Sequence, residues 1–85
     1  MKLTIKLFAL LGQYLPAGAN DNTAEIEVAD GATASDVIRR LNLPREYCHL
    51  VLINGLYLPP GERDTRPLHP GDALAIWPPV AGGRT

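Results

Sequence analysis

A stretch with apolar residues at helical spacing and a capped start lies near the middle of this chain, and it limits the folds that the chain can adopt. Between residues 33 and 41, Val37, Ile38 and Leu41 fall on one helical face, and the two arginines between them fall outside it. The other apolar runs are short and have the patterns of strands. An 85-residue chain has room for one small core, so we expect the helix to bury its face on a sheet.

Local signals predict both ends of the helix. The Thr33 hydroxyl can accept from the N–H of Asp36, and the Asp36 carboxylate can accept in return from the N–H of Thr33, which is a capping box. Asp36 also lies at the positive end of the helix dipole. Pro44 disfavours helical geometry in the residue before it, so the helix is predicted to end near Asn42 or Leu43.

Two alternating runs before the helix predict a hairpin with a long loop. Residues 2–8 and 24–29 place apolar residues at every second position, with polar residues between them. The connection, residues 11–22, is polar and punctuated by Gly and Pro, with room for a short helical turn before Pro16. The residues that face inward are Leu3, Ile5, Leu7, Ile26 and Val28.

Three strands are predicted after the helix. Residues 49–54 are almost continuously apolar, the pattern of a central strand with two covered faces. Asn54–Gly55 is a strong turn signal because both residues tolerate positive φ, and a short return strand follows at residues 56–58. Residues 73–77 form the last strand after a long loop. The inward residues of this strand are Leu74 and Ile76.

The order strand, strand, helix, strand, short strand, strand predicts an α+β chain with the β-grasp, or ubiquitin-like, fold. We expect a mixed sheet of four to five strands with one main helix packed on one face. Residues 1–77 form this domain, and residues 78–85 form a flexible C-terminal tail, because Pro78 and Pro79 cannot donate to a sheet ladder. The predicted core is Leu3, Ile5, Leu7, Ile26, Val28, Val37, Ile38, Leu41, Leu74 and Ile76.

Composition argues against several kinds of site. The formal net charge is −1, with acidic and basic residues interspersed, so there is no basic stripe for nucleic acid. The one cysteine, Cys48, cannot alone form a disulfide, a zinc site or an iron–sulfur site, and is interpreted as a small core residue. His49 and His69 are isolated, so we expect no metal and no cofactor. Lysines interrupt the apolar start of the chain, which is too short to span a membrane, so we expect a cytoplasmic protein.

The C-terminal run is the most informative motif. Residues 74–83, Leu-Ala-Ile-Trp-Pro-Pro-Val-Ala-Gly-Gly, resemble the C-terminus of molybdopterin synthase small subunits, in which an apolar strand leads to an aromatic residue, two prolines and Gly-Gly. Residues 7–9 resemble the first strand of that family, and residues 68–72 resemble the loop before its last strand. The related sulfur carriers of the thiamine pathway share the fold and the Gly-Gly but typically lack the two prolines.

The resemblance implies a sulfur carrier that works with other proteins. An ATP-dependent activating enzyme would adenylate the carboxylate of Gly83, and a sulfur donor would displace AMP to leave a thiocarboxylate. That sulfur would pass to a pterin precursor in a larger synthase subunit, in molybdenum or tungsten cofactor biosynthesis. Gly82 and Gly83 carry no side chains and can thread a narrow channel. An extended chain from Pro78 to Gly83 spans roughly 20 Å.

Phe8 and Trp77 are out of phase with the inward residues of their own strands. If the first and last strands are neighbours, as the fold implies, the two rings form an apolar patch opposite the helix. Exposed apolar patches mark interfaces, and Trp is common among hot spots. The alternative is that the 66–72 loop or a bent tail covers the rings. We predict partner contacts for Phe8, Trp77, Pro78, Pro79, Val80 and Ala81.

Two residues beyond the second glycine depart from the family pattern. Arg84 and Thr85 place the free carboxylate on Thr85 and make the Gly83 carbonyl an amide, which cannot be adenylated. Three interpretations remain open. A peptidase removes the two residues, they are an expression remnant, or the protein has lost carrier function and kept only its interface.

Two other functions fit the same sequence. A ubiquitin-like protein modifier would use the same activated glycine but would end as an isopeptide on a lysine. A β-grasp interaction module would keep the patch and perform no tail chemistry. An RNA-binding β-grasp domain is disfavoured by the missing basic stripe.

Overall fold

The computed structural model describes residues 1–79 of the chain. Its strands are β1 (Lys2–Leu7), β2 (Thr23–Glu27), β3 (Leu50–Ile53), β4 (Leu56–Tyr57) and β5 (Ala73–Trp77), and its α-helix is α1 (Ala34–Arg40). Short 3-10 helices span Ala9–Tyr14, Arg45–Tyr47 and Pro60–Glu62. The strands form one sheet in the order β2-β1-β5-β3-β4. The predicted α+β, β-grasp fold is confirmed, with five strands.

The sheet is mixed because its first and last strands run in the same direction. β1 pairs parallel with β5, where Leu7 lies beside Ile76, and antiparallel with β2, where Leu3 lies beside Ile26. β5 pairs antiparallel with β3, which in turn pairs antiparallel with β4. This register brings the inward residues of neighbouring strands together on one face.

The helix packs on that face and closes the core. Val37 and Ile38 are buried in one cluster with the inward residues of the strands, while Val28 and Leu41 are half-buried against it. The predicted core is therefore confirmed. Segments outside the sheet and α1 contribute buried residues beyond the predicted core, namely Leu11 in the first 3-10 helix and Leu43, Leu58 and Leu68 in loops.

Two strand predictions are corrected by the structure. The second strand, predicted at 24–29, spans Thr23–Glu27, because its pairing with β1 runs from Lys6 opposite Thr23 to Lys2 opposite Glu27. The apolar run at 49–54 was predicted to be the central strand, but β5 is central and β3 lies beside the short edge strand β4. The outward apolar residues of β3 lie on a face that no second layer of the described chain covers.

The turn signal and the N-cap signal are confirmed, but α1 ends at Arg40, before the predicted end near Asn42 or Leu43, because Asn42 has a positive φ of 60°. Asn54 and Gly55 both have positive φ, 52° and 83°, as the turn between β3 and β4 requires. At the start of α1, the Thr33 hydroxyl accepts from the Asp36 N–H at 3.3 Å, and the Asp36 carboxylate accepts from the Thr33 N–H at 3.0 Å. The helix is thus capped by the reciprocal pair that the sequence predicts.

Thr33→Ala should lower the free energy of unfolding by about 1 kcal/mol, because the Asp36 N–H loses its acceptor at the helix start. Urea denaturation at neutral pH measures the difference. The control is Thr65→Ala in an exposed turn, which should change stability by less than about 0.5 kcal/mol. Equal losses in the two variants would contradict the capping role.

The capping box also makes stability depend on pH. The backbone N–H of Thr33, which donates to the Asp36 carboxylate, holds the pKa of Asp36 below its ordinary value of 3.8. Because the folded-state pKa is the lower one, this stabilisation is present above the ordinary value and is lost as pH falls through the lowered pKa. Asp36→Asn should remove that acid-side loss in urea titrations, whereas Asp21→Asn, at an exposed turn, should leave it in place.

Candidate functional site

Phe8 and Trp77 meet at the end of the parallel pair β1 and β5. Because Leu7 lies beside Ile76, the next residues along both strands are also neighbours, and the Phe8 N–H donates to the Ile76 carbonyl at 3.2 Å. The two rings stack with their centroids 4.2 Å apart and their planes 4° apart. Both side chains are half-buried. The structure therefore brings together the two rings that the sequence predicts to form a patch.

The patch continues across the sheet onto β3 and β4. Leu50 lies opposite Trp77, and Leu52 lies between Ala75 on one side and Tyr57 on the other. Leu50 is 36% exposed and Tyr57 is 55% exposed. We call this surface the outer apolar strip, which comprises Phe8, Trp77, Leu50, Leu52, Ala75 and Tyr57.

Sequence reasoning missed the β3 and β4 parts of the strip. The signal was present, since the run at 49–54 is apolar at every position of the strand. That pattern is typical of a central strand, which is apolar on both faces. An uncovered outer face gives the same pattern when that face serves as an interface.

The outer face of the sheet has a charged half beside the apolar half. Lys2 and Glu25 approach to 4.0 Å on neighbouring strands, and both side chains are mostly exposed. The charged and polar residues of this half are Lys2, Thr4, Lys6, Thr23, Glu25 and Glu27. A partner that docks on the strip would thus meet apolar surface at its centre and charge at one border, as interface cores and rims commonly do.

The tail begins at the edge of the strip. The Trp77 carbonyl accepts from the His49 N–H at 3.0 Å, and β5 ends there because Pro78 and Pro79 have no N–H to donate. Pro78 is half-buried and Pro79 is exposed. The remaining predicted tail residues lie outside the described residues: Val80, Ala81, Gly82, Gly83, Arg84 and Thr85.

Cys48, His49 and His69 have surroundings that differ from those of a catalytic centre. Cys48 is buried, its thiol lies 3.5 Å from the Pro44 carbonyl, and burial raises the pKa of the thiol. His49 and His69 are exposed and far apart in the chain. Within residues 1–79, no three His, Cys, Asp or Glu side chains gather as a metal site would require.

No helix in the same part of the chain combines the length and apolarity needed to cross a membrane.

Comparisons with solved structures give relatives of the same size and fold. Small archaeal modifier protein 1 of Haloferax volcanii is 28% identical with a TM-score of 0.66, and the match covers 93% of this chain and 98% of that one. The HVO 2177 protein of Haloferax volcanii is 29% identical with a TM-score of 0.75, and the match covers 98% of this chain and 87% of that one. A putative molybdopterin converting factor subunit 1 of Pyrococcus furiosus is 25% identical with a TM-score of 0.63, and the match covers 93% of this chain and 98% of that one.

No curated protein sequence matches the chain. A protein-family model, described as the ThiS family, matches residues 5–83, which includes the second half of β1, the outer apolar strip and the Gly82–Gly83 pair. Such a match extends over almost the whole chain. The chain therefore belongs to the ThiS family.

Proposed function

We propose that this protein is a sulfur carrier whose reactive group is the carboxylate of Gly83, exposed by removal of Arg84–Thr85. The observation that carries the proposal is a stacked aromatic pair, Phe8 and Trp77, at the base of a Pro-Pro-Val-Ala-Gly-Gly tail. The family match over residues 5–83 supports it. A docking surface next to a tail is what a carrier needs, because the partner must hold the domain while the tail enters its active site.

The carrier would supply a carboxylate, and its partners would supply the chemistry. An ATP-dependent activating enzyme joins the Gly83 carboxylate to AMP and releases pyrophosphate. A donor of sulfur at the sulfide level then attacks the carbonyl carbon, AMP leaves, and a thiocarboxylate remains.

The acceptor that we propose is a pterin precursor held by a larger synthase-type subunit, in molybdenum or tungsten cofactor biosynthesis. Two observations favour this pathway. The two prolines after Trp77 resemble the molybdopterin synthase tail, and the Pyrococcus furiosus relative is described as a molybdopterin converting factor subunit. A tail-trimming peptidase is the remaining partner, and the cytoplasm is the proposed location.

The second candidate function is that of a protein modifier. The Haloferax volcanii relative, at 28% identity, is described as a small archaeal modifier protein. A modifier would share the activated Gly83 but would transfer its acyl group to a lysine amine. The two functions differ in product, since a carrier yields a chain with sulfur in place of one terminal oxygen, whereas a modifier yields a ladder of conjugates.

Trp77→Ala should weaken binding to the partner subunit by roughly 2 kcal/mol or more, since Trp77 forms the centre of the outer apolar strip. The control is Leu10→Ala, which removes an exposed apolar side chain outside the strip. Calorimetric titration of folded variants against the larger synthase-type subunit measures the difference. An unchanged affinity for Trp77→Ala would refute the interface.

The tail makes a sharper prediction. A chain that ends at Gly83 should exchange pyrophosphate into ATP with the cognate activating enzyme, whereas the 85-residue chain should not. The reason is that an amide has no carboxylate oxygen to attack ATP, and Arg84 would bring a long charged group into a channel shaped for glycine. Gly83→Ala in the short chain should slow the exchange strongly, because a methyl group obstructs the approach to the carbonyl.

Gly61→Ala in the short chain is the matched control. Gly61 lacks a positive φ, and an added Cβ would meet no atom within 4 Å, so activity should be kept. Equal activity of the long and short chains would remove the precursor hypothesis. Inactivity of both chains with a verified cognate enzyme would favour the interaction module.

A further inference from the structure

Arg63 connects a distant loop to the peptide group that holds the base of the tail. Its Nη1 donates to the Cys48 carbonyl at 2.8 Å, and its Nη2 donates to the His49 carbonyl at 3.1 Å. The guanidinium thus forks onto two successive carbonyls at the entry to β3. Hydrogen bonds from a charged donor are stronger than neutral ones, and the planar fork fixes their direction.

The Cys48–His49 peptide group passes this contact on to Trp77. Its carbonyl accepts from Arg63, and its N–H, on the opposite side of the planar trans unit, donates to the Trp77 carbonyl at 3.0 Å. A cationic donor on the carbonyl side polarises the peptide and strengthens the bond that its N–H donates. The guanidinium, the peptide and the Trp77 carbonyl therefore form one hydrogen-bonded chain.

The Trp77 carbonyl is the last polar group of β5 before the two prolines. Pro78 and Pro79 have no backbone N–H, so neither residue can donate a hydrogen bond that would anchor the start of the tail. The direction in which the chain leaves the sheet depends on how firmly this carbonyl is held. The stacked Phe8 ring constrains the Trp77 side chain, and the Arg63 chain of bonds constrains its backbone.

Arg63 is itself held in place by the start of the helix. Its carbonyl accepts from the Ser35 N–H at 3.0 Å, and the next residue, Asp64, accepts from the Ser35 hydroxyl. The Arg63 Nε is buried without a hydrogen-bond partner among residues 1–79. Burying that donor costs free energy, which the two charge-assisted bonds offset.

We propose that Arg63 is a positioning residue for the carrier tail, acting through the Cys48–His49 peptide on the Trp77 carbonyl. The inference rests on the proposed function, because a tail that needs no fixed direction would need no such support. Arg63 touches no reacting group. Its effect is to raise the fraction of molecules in which the tail leaves the sheet in the direction that the activating enzyme accepts.

Native-state amide exchange of the full chain tests whether Arg63 supports the hydrogen bond from the His49 N–H to the Trp77 carbonyl. Arg63→Met keeps the side-chain stem and removes the donors, so the His49 amide should exchange at least about 10-fold faster. Arg63→Lys, which cannot fork, should fall between. The control is Arg66→Met on the same loop. The exposed Arg66 side chain forms an ion pair, with its Nη1 3.7 Å from the Glu62 Oε1. An unchanged His49 amide, or an equal acceleration in the β1–β2 ladder, would overturn the proposal.

Pyrophosphate exchange with chains that end at Gly83 tests whether Arg63 positions the tail for the activating enzyme. Arg63→Met should raise the KM for the carrier about three- to tenfold and change kcat little, because the activating enzyme performs the chemistry. Faster exchange at His49 with an unchanged KM would overturn the proposal, since the support would then be only structural. If the unsubstituted short chain is itself not activated, the proposed function fails, and the His49 amide alone decides whether Arg63 holds the base of the tail.

Discussion

The parallel pairing of β1 with β5 is the constraint on which the rest of this molecule depends. It joins a strand at the start of the chain to one near its end, so the helix and the other strands must fit around that pair. The pairing buries Leu7 and Ile76 on the helix side and sets Phe8 beside Trp77 on the other side. One register thus determines both the centre of the core and the centre of the candidate interface.

The two faces of the sheet differ in what covers them. The inner face is closed by α1, whose capping box and apolar stripe place Val37 and Ile38 on the strands. The outer face leaves apolar residues of β3, β4 and β5 uncovered beside a charged half on β1 and β2. An uncovered apolar surface adds nothing to the stability of the isolated domain. Its placement at the base of the tail is explained if a partner covers it while the tail is in use.

The sequence predicted the parts of the structure that depend on local signals. The cap at Thr33 and Asp36, the turn at Asn54–Gly55 and the strand at 73–77 each follow from neighbouring residues, and all three are observed. The outward position of Leu50 was not predictable, because a continuous apolar run has the same appearance whether its second face meets a second layer or a partner.

Long-range contacts made by loop residues were not accessible from the sequence. Leu58 and Leu68 reach the core from segments without periodicity, and Arg63 meets the Cys48 and His49 carbonyls only because the fold brings its loop there. The aromatic pair was predictable because it needed only a strand phase and one neighbour relation. The tail at 80–85 lies outside the described residues, so its chemistry stays a prediction from motif and family.

The most direct test of the account is the intact mass of this protein purified from its native host. A sulfur carrier should be found as a chain that ends at Gly83, with a fraction that carries sulfur in place of one terminal oxygen. A thiol-alkylating reagent that adds one more alkyl group to the sulfur-bearing form than to the form with a plain carboxylate would identify the thiocarboxylate, because Cys48 is common to both forms. A protein found only as the 85-residue chain, with its carboxylate on Thr85 and no sulfur-bearing form, would contradict the claim that it carries sulfur.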